Sequence, residues 1–246
     1  MTGSEPLRQS GRHQGLKAAI FDVDGVLIAS PHECAWREAL EGFADPAHFT
    51  SEIYEEQVAG KPRLAGALAA LDALGVAEAG RQATAYADRK QKGFEELIHA
   101  GRVAAFPDAL RFVQAVAALG WPMAVASSSK NASGMMKTIR ISFGQSLLRV
   151  FSVNVCGRDL PQGKPNPAIF LLAAAELKVE PECCFVVEDA PAGLEAARAG
   201  GMTALGVARR GETALLNAAG ADLVVASLDE IAIDELAAGR LSRRPS

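Results

Sequence analysis

Several ingredients are scarce in this chain, and each scarcity excludes something. There are four cysteines in 246 residues (Cys34, Cys156, Cys183 and Cys184), with no C-x-x-C pair and no cysteine–histidine spacing of a zinc site. Adjacent Cys183 and Cys184 rarely bridge each other, so the expectation is reduced, mostly buried thiols in a cytoplasmic chain. No apolar run reaches the roughly 18 residues that a bilayer span needs, so no membrane role is expected. Positive charge is not in excess: 25 Lys and Arg stand against 29 Asp and Glu, a net charge of −4. That balance gives no support to nucleic-acid or membrane-surface binding, although a few local cations suffice to hold a phosphate. No G-x-G-x-x-G follows the first apolar run. The segment Gly157 to Lys164 is not a P-loop either, because five residues separate Gly157 from Gly163 and Pro165 occupies the Ser/Thr position. Heptads are absent, and a monomer is the default. Residues 1–15 lack the apolar core of a signal segment and read as a tail; residues 240–246, with Arg240, Arg243 and Arg244, read as another.

What is present is a rhythm. Lys17 to Phe21 is a short continuous apolar run that stops at Asp22-Val23-Asp24-Gly25. A continuous run, as opposed to an alternating one, suits a strand covered on both faces. Similar runs recur at 123–126, 151–155, 184–187, 204–207 and 222–225. Helical patterns lie between them at 108–119, 131–141, 167–178, 191–200 and 212–219. The alternation predicts an α/β doubly wound parallel-sheet core. Residues 31–105 break it: they are rich in Ala, Leu, Glu, Arg and Gln and show no strand pattern, which predicts a small inserted α-helical domain. The expected organisation is a core of 16–30 and 106–239, an insertion of 31–105 with Gly101 to Pro107 as the return linker, and tails outside. Trp36 and the stripe Leu64, Leu68, Leu71 and Leu74 are expected to be the insertion's core.

Ligands of open parallel sheets bind at the carboxyl ends of the strands. The residues following each apolar run are therefore the candidates: Asp22 and Asp24; Ser127, Ser128, Ser129 and Lys130; Gly163, Lys164 and Pro165; Glu188 and Asp189. Carboxylates, a hydroxyl and a lysine converging on one edge suit phosphoryl transfer. An ionised Asp can attack an anionic phosphate only if a cation offsets their repulsion, and Mg²⁺ prefers oxygen ligands, often carboxylates plus phosphate. A Ser hydroxyl and a Lys ammonium can hold the equatorial oxygens, and a second carboxylate can move the proton. Gly25 permits the tight wrap that brings both Asp side chains together.

With those motifs in order, Phe21-Asp22-Val23-Asp24-Gly25-Val26, Val125 to Asn131, Gly163-Lys164-Pro165-Asn166-Pro167 and Val187 to Gly193, the chain resembles the haloacid dehalogenase superfamily. The similarity lies in its β-phosphoglucomutase and sugar-phosphatase branch and spans about residues 16–236. The resemblance implies that Asp22 is the nucleophile, Asp24 the general acid/base, and Ser127 and Lys164 the phosphate contacts, with Lys130 beside them. It implies Mg²⁺ held by Asp22, Asp24 through its backbone carbonyl, and Asp189, with Glu188 adjacent. The insertion then matches a helical cap, in which His32, Trp36, Gly60 and Arg63 resemble the segments that face substrate. His32 would contact Asp24, and Arg63 would take the distal phosphate of a sugar bisphosphate. Three departures stand out: Ala29 replaces the usual acidic residue, the step from Ser30 to His32 is about two residues shorter than in the mutase, and Ala59 stands where the mutase has a lysine. The implied partner is a small phosphorylated metabolite.

Plainer readings exist for each motif. Asp22 and Asp24 are also turn formers, and Ser127 to Ser129 could cap a helix. Glu188 and Asp189 could favour a helix dipole, and a lone His32 near a helix start is usually structural. A phospho-receiver switch would also phosphorylate an Asp beside Mg²⁺, but as a single compact unit without an insertion. A non-catalytic binding module of the superfamily would be expected to lack Asp22, Asp24 or Lys164, and all three are present.

Overall fold

A computed structural model describes residues 15–59, 61–141 and 144–245. In chain order the strands are β1 (Ala18–Phe21), β2 (Ile28–Ala29), β3 (Ala104–Ala105), β4 (Met123–Val125), β5 (Val153–Asn154), β6 (Cys184–Glu188), β7 (Thr203–Val207) and β8 (Leu223–Val225). The α-helices are α1 (His32–Glu38), α2 (Ser51–Ile53), α3 (Arg63–Ala73), α4 (Ala79–His99), α5 (Pro107–Ala118), α6 (Ala132–Thr138), α7 (Ala168–Leu177), α8 (Pro191–Ala199), α9 (Thr213–Ala218) and α10 (Ile233–Ala237).

Six strands form one parallel sheet in the order β5-β4-β1-β6-β7-β8. β1 is fully buried, and its side chains alternate between two apolar layers. Ala19 and Phe21 join Val125, Phe185 and Val187 on one face; Ala18 and Ile20 join Ala124, Cys184 and Val186 on the other. Burial on both faces is why the run is continuous. The chain winds in opposite senses on either side of β1, so the carboxyl ends of β1, β4 and β6 frame the crevice of such sheets. Phe21 pairs in register with Val125 and Val187, which puts the residues just past all three strands side by side.

Between β1 and α5 the chain makes the helical insertion. α3 and α4 pack around a cluster of Trp36, Leu40, Phe49, Val58, Leu71 and Tyr86, and the Tyr86 hydroxyl donates to the Trp36 carbonyl at 2.8 Å. The leucine stripe is a correction. Leu64 and Leu68 are exposed, and α3 buries Gly66, Ala67, Ala70 and Leu71. Small residues let α3 and α4 approach closely, and the bulkier leucines turn outward. A second correction is a two-stranded antiparallel sheet of β2 and β3, with Ile28 opposite Ala105 and Ala29 opposite Ala104. Two-residue strands carry no alternation to read, and their pairing spans the whole insertion.

Of the expected tails, residues 1–14 lie outside the described residues. The other end is anchored: Ala232 N–H donates to Ser242 at 3.0 Å, Arg244 N–H to Glu230 at 2.7 Å, and the Arg243 guanidinium to the Val224 carbonyl at 2.6 Å. No helix among the described residues is long and apolar enough to cross a membrane.

Candidate active site

The first residue past β1 is Asp22, whose backbone N–H is held by the Val187 carbonyl at 3.0 Å, so its carboxylate opens onto the crevice from a fixed base. Lys164, in the loop before α7, brings its ammonium to 2.5 Å from Asp22 Oδ1 and into contact with Glu188 Oε1, with the Ala126 carbonyl at 3.5 Å. The ammonium also lies 4.8 Å over the Phe170 ring. Glu188 ends β6 and is buried; its other oxygen accepts from the Asp189 and Ala190 amides at 3.1 and 3.3 Å. Asp22, Glu188 and Asp189 each offer a carboxylate oxygen within 4.8 Å of the others.

The charges in this cluster do not balance. Three carboxylates face one ammonium, leaving 3 − 1 = 2 negative charges when all are ionised. Burial, then repulsion from Glu188 and Asp24, pushes the Asp22 carboxyl up to about 7 against the pull of Lys164. Burial followed by Glu188 and Asp22 raises Asp189 well above the carboxylate range. Burial disfavours the charged Lys164, but Asp22 and Glu188 outweigh it and hold its proton more firmly than usual. A surplus of two negative charges on clustered hard oxygens fits a divalent cation of the Mg²⁺ type. Two glycines keep the space for it. A methyl on Gly25, which sits at φ +83°, would overlap the Asp189 carboxylate, and one on Gly193 would overlap that of Glu188.

Ser127, buried past β4, accepts the Ser129 amide at 3.1 Å on Oγ, leaving its hydroxyl proton for another acceptor. Lys130 is not brought in: its ammonium lies 2.9 Å from Asp159 and is largely exposed. An exposed carboxylate next to a mobile-stemmed lysine captures it, whereas the crevice already has Lys164 at its floor.

Asp24 does not join the carboxylate cluster with its side chain. Its Oδ1 is buried without a hydrogen-bond partner and lies 3.5 Å from His32 Nε2, too poorly placed for a hydrogen bond but within ion-pair range. Burial would raise the Asp24 carboxyl, but His32, with Ser30 and Lys90 behind it, outweighs burial and holds it below the ordinary value. His32 therefore reaches Asp24 in spite of the shortened step from Ser30. Its ring stacks on Phe94 with centroids 4.0 Å apart, and its Nδ1 lies 2.8 Å from Lys90 Nζ. That contact occupies Nδ1 and leaves Nε2 as the ring nitrogen that faces Asp24.

Lys90 was not singled out by the motifs, yet it is 4 % exposed, and burial pushes it down to about 8 with Arg63 adding to the effect and Asp24 opposing it. The signal that could have found it is its place on the buried stripe Ala79, Ala83, Tyr86, Ala87, Lys90, Phe94 of α4, a lysine at an apolar position. Tyr54 was also missed. It opens a short π-helical turn, Tyr54–Val58, and burial, then the charges of Asp24 and Asp189, raise its hydroxyl. Arg63 is exposed at the start of α3, Trp36 is buried in the insertion's core with Lys90 Nζ 5.0 Å over its ring, and Gly60 lies outside the described residues.

The haloacid dehalogenase-like hydrolase family matches residues 16–201, and the chain belongs to that family. A β-phosphoglucomutase of Mycobacterium bovis is 32% identical over 250 residues, covering 91% of this chain and 94% of its own. Hexitol phosphatase A of Escherichia coli is 29% identical over 222 residues, covering 88% and 94%. Among solved structures, an archaeal β-phosphoglucomutase from a hyperthermophilic Pyrococcus superposes with a TM-score of 0.72 at 33% identity, covering 89% of this chain and 96% of that one. The chain is thus an enzyme of the phosphomutase or phosphatase kind, with a helical cap inserted in a parallel-sheet core.

Proposed function

We propose that the chain is a β-phosphoglucomutase-like phosphotransferase acting on a small sugar-phosphate monoester through an aspartyl-phosphate on Asp22, with Mg²⁺ as cofactor. One observation carries the reading: Asp22 and Asp24, two residues apart, occupy opposite electrostatic settings, one in the cluster with Lys164, Glu188 and Asp189, the other turned to His32. Asp22, Asp189 and the backbone carbonyl of Asp24 would hold the cation, with Glu188 beside them. When bound, it offsets the repulsion between carboxylate and phosphate.

In the first half-reaction an Asp22 oxygen bonds to phosphorus, the ester bond to the sugar breaks, and Asp24 gives its proton to the leaving oxygen. Ser127 and Lys164 hold the phosphoryl oxygens throughout. In the second half, ionised Asp24 takes the proton of an acceptor hydroxyl, whose oxygen bonds to phosphorus as Asp22 leaves. The depressed Asp24 carboxyl suits this second half; the approach of an anionic phosphate raises it for the first. His32, steadied by Lys90, keeps Asp24 aimed. Arg63, exposed at the start of α3, would meet a distal phosphate, and the insertion would act as the cap that excludes water.

A sugar-phosphate hydrolase is the second reading, favoured by the full-length similarity to hexitol phosphatase A and by Ala59 in the place of the mutase's cap lysine. The two are separated by supplying the protein and Mg²⁺ with β-glucose 1-phosphate and a trace of the 1,6-bisphosphate. Glucose 6-phosphate without free phosphate is expected; free phosphate alone gives the second reading, and no turnover of any phosphoester removes both.

A further inference from the structure

Two consecutive arginines beyond β7 send their side chains into different halves of the molecule. Arg209 stays in the core. Its Nη1 meets both oxygens of Asp108 at 3.0 and 2.8 Å, its Nε donates to the Gly25 carbonyl at 3.1 Å and its Nη2 to that of Val26 at 2.8 Å. Arg210 reaches across to the cap, with Nη1 at 2.8 Å from Glu55 Oε1 and 3.5 Å from Glu33 Oε2.

The two glutamates are not arbitrary anchor points. Glu33 follows His32, the residue facing Asp24, and Glu55 follows Tyr54, whose hydroxyl is buried within the field of Asp24 and Asp189. Glu33 Oε1 also accepts from Arg37 at 2.6 Å and from the Ser51 hydroxyl at 2.7 Å. Ser51 begins the helical segment that leads into Tyr54, so a hold on Glu33 is passed to both cap segments that face the carboxylates.

We infer that Arg210 is a positioning residue: it draws the cap onto the core through Glu55 and Glu33, and so sets how the phosphoryl group divides between a sugar hydroxyl and water. The last clause rests on the phosphoryl-transfer reading above; the closure itself does not. Arg210 is 55% exposed and Glu55 38%, and an exposed, salt-screened pair shifts an equilibrium by no more than about fivefold. A weak hold is what a cap that opens in every turnover requires. Arg209 fixes the base from which the hold acts, because it ties the same short segment to the backbone between Asp24 and Leu27.

The test uses Arg210→Glu, which faces Glu55 and Glu33 with like charge, and the swap of Arg210→Glu with Glu55→Arg. Amide exchange of residues 32–35 and 54–58, and the radius of gyration in solution, are measured without substrate. Exchange is expected to quicken about fivefold in Arg210→Glu, the ceiling for such a pair, with an increase in radius, and both are expected to return in the swap. In wild type, raising ionic strength is expected to act in the same direction. With substrate, the ratio of transfer to hydrolysis is expected to fall in Arg210→Glu and recover in the swap, with p-nitrophenyl phosphate hydrolysis retained. Unchanged exchange and radius in Arg210→Glu, or a swap that restores neither, overturns the inference. An inactive wild type whose exchange responds as stated removes the proposed reaction and leaves Arg210 as the closure residue.

Discussion

The core side of the site and the cap side are held by unlike means. In the core, Asp22 and Glu188 are buried at strand ends, Lys164 reaches them from the loop before α7 with the Lys164–Asp22 contact at 2.5 Å, and Gly25 and Gly193 leave no slack around the carboxylates. On the cap side, His32 stands 3.5 Å from Asp24, and Arg210 crosses to Glu55 from a half-exposed position. The chemistry of bond making sits on the strand-end floor, and the control of access sits on single contacts that cross from cap to core, one of them half-exposed. The difference teaches where to strike: core substitutions should remove the reaction, whereas cap substitutions should retune it.

The largest effect is expected from Asp22→Asn, which keeps the side-chain shape and removes the attacking oxygen's charge. Turnover should fall on the order of 10⁴-fold or more, with no acid-labile phosphate on the protein by mass spectrometry; appreciable turnover would refute Asp22 as nucleophile. Next, Gly193→Ala pushes a methyl into the Glu188 carboxylate. Displacing a group that supports a metal site costs about 10–100-fold in affinity or activity, so titration of activity with Mg²⁺ should show a weakened midpoint. An unaltered midpoint would mean that Glu188 has no part in holding the cation.

Lys90→Met probes the cap side. Folded Lys90 releases its proton near 8 and the unfolded chain near 10.5, so its buried charge costs stability below about pH 8, a cost that fades as pH rises to about 10.5. The variant should melt a few degrees higher at neutral pH, about 3 °C per kcal/mol relieved, and its advantage should vanish in alkali. Its kcat should fall about tenfold, because His32 loses its support and proton transfer is worth roughly 10²–10⁴. A variant that is neither stabler nor slower would make Lys90 an ordinary cap lysine.

The smallest expected effect concerns pH and Mg²⁺. Folded Asp22 keeps its proton to about 7, whereas the unfolded chain loses it near 3.8, so without a cation stability falls as pH rises through that window. Cation binding needs ionised carboxylates. The Mg²⁺-induced rise in melting temperature should therefore be small near about pH 5 and full near about pH 8, reaching ~2.7 kcal/mol of stabilisation at a hundredfold excess over Kd. Equal shifts at both pH values would place the cation away from Asp22.

Much of this site was legible before folding because the strand-end groups are local: Asp22 with Asp24, and Glu188 with Asp189, each sit in one short motif directly after an apolar run. Lys164 and Ser127 were readable from their neighbours for the same reason. Lys90, Tyr54 and Arg210 were not, since each gains its role from residues distant in the chain; within the cap Lys90 Nζ meets His32 fifty-eight positions away, and Arg210 crosses from the core to Glu55. Lys130 shows the converse, a motif residue that a surface carboxylate draws aside. The exposed Leu64 and Leu68 show that spacing reports a helix more surely than which of its faces is covered.

The pairing of β2 with β3 brings the two ends of the cap within a backbone hydrogen bond of each other, and Arg209 bonds the carbonyls of Gly25 and Val26 while gripping Asp108 at the head of α5. The cap is thereby a cassette on a closed hinge. Its two ends are joined before it begins, so the insertion between residues 31 and 103 hangs from one closed joint and meets the carboxylates through side chains such as His32. A different lid on the same joint would change what faces Asp24 and leave the contact of Lys164 with Asp22 and Glu188 in place.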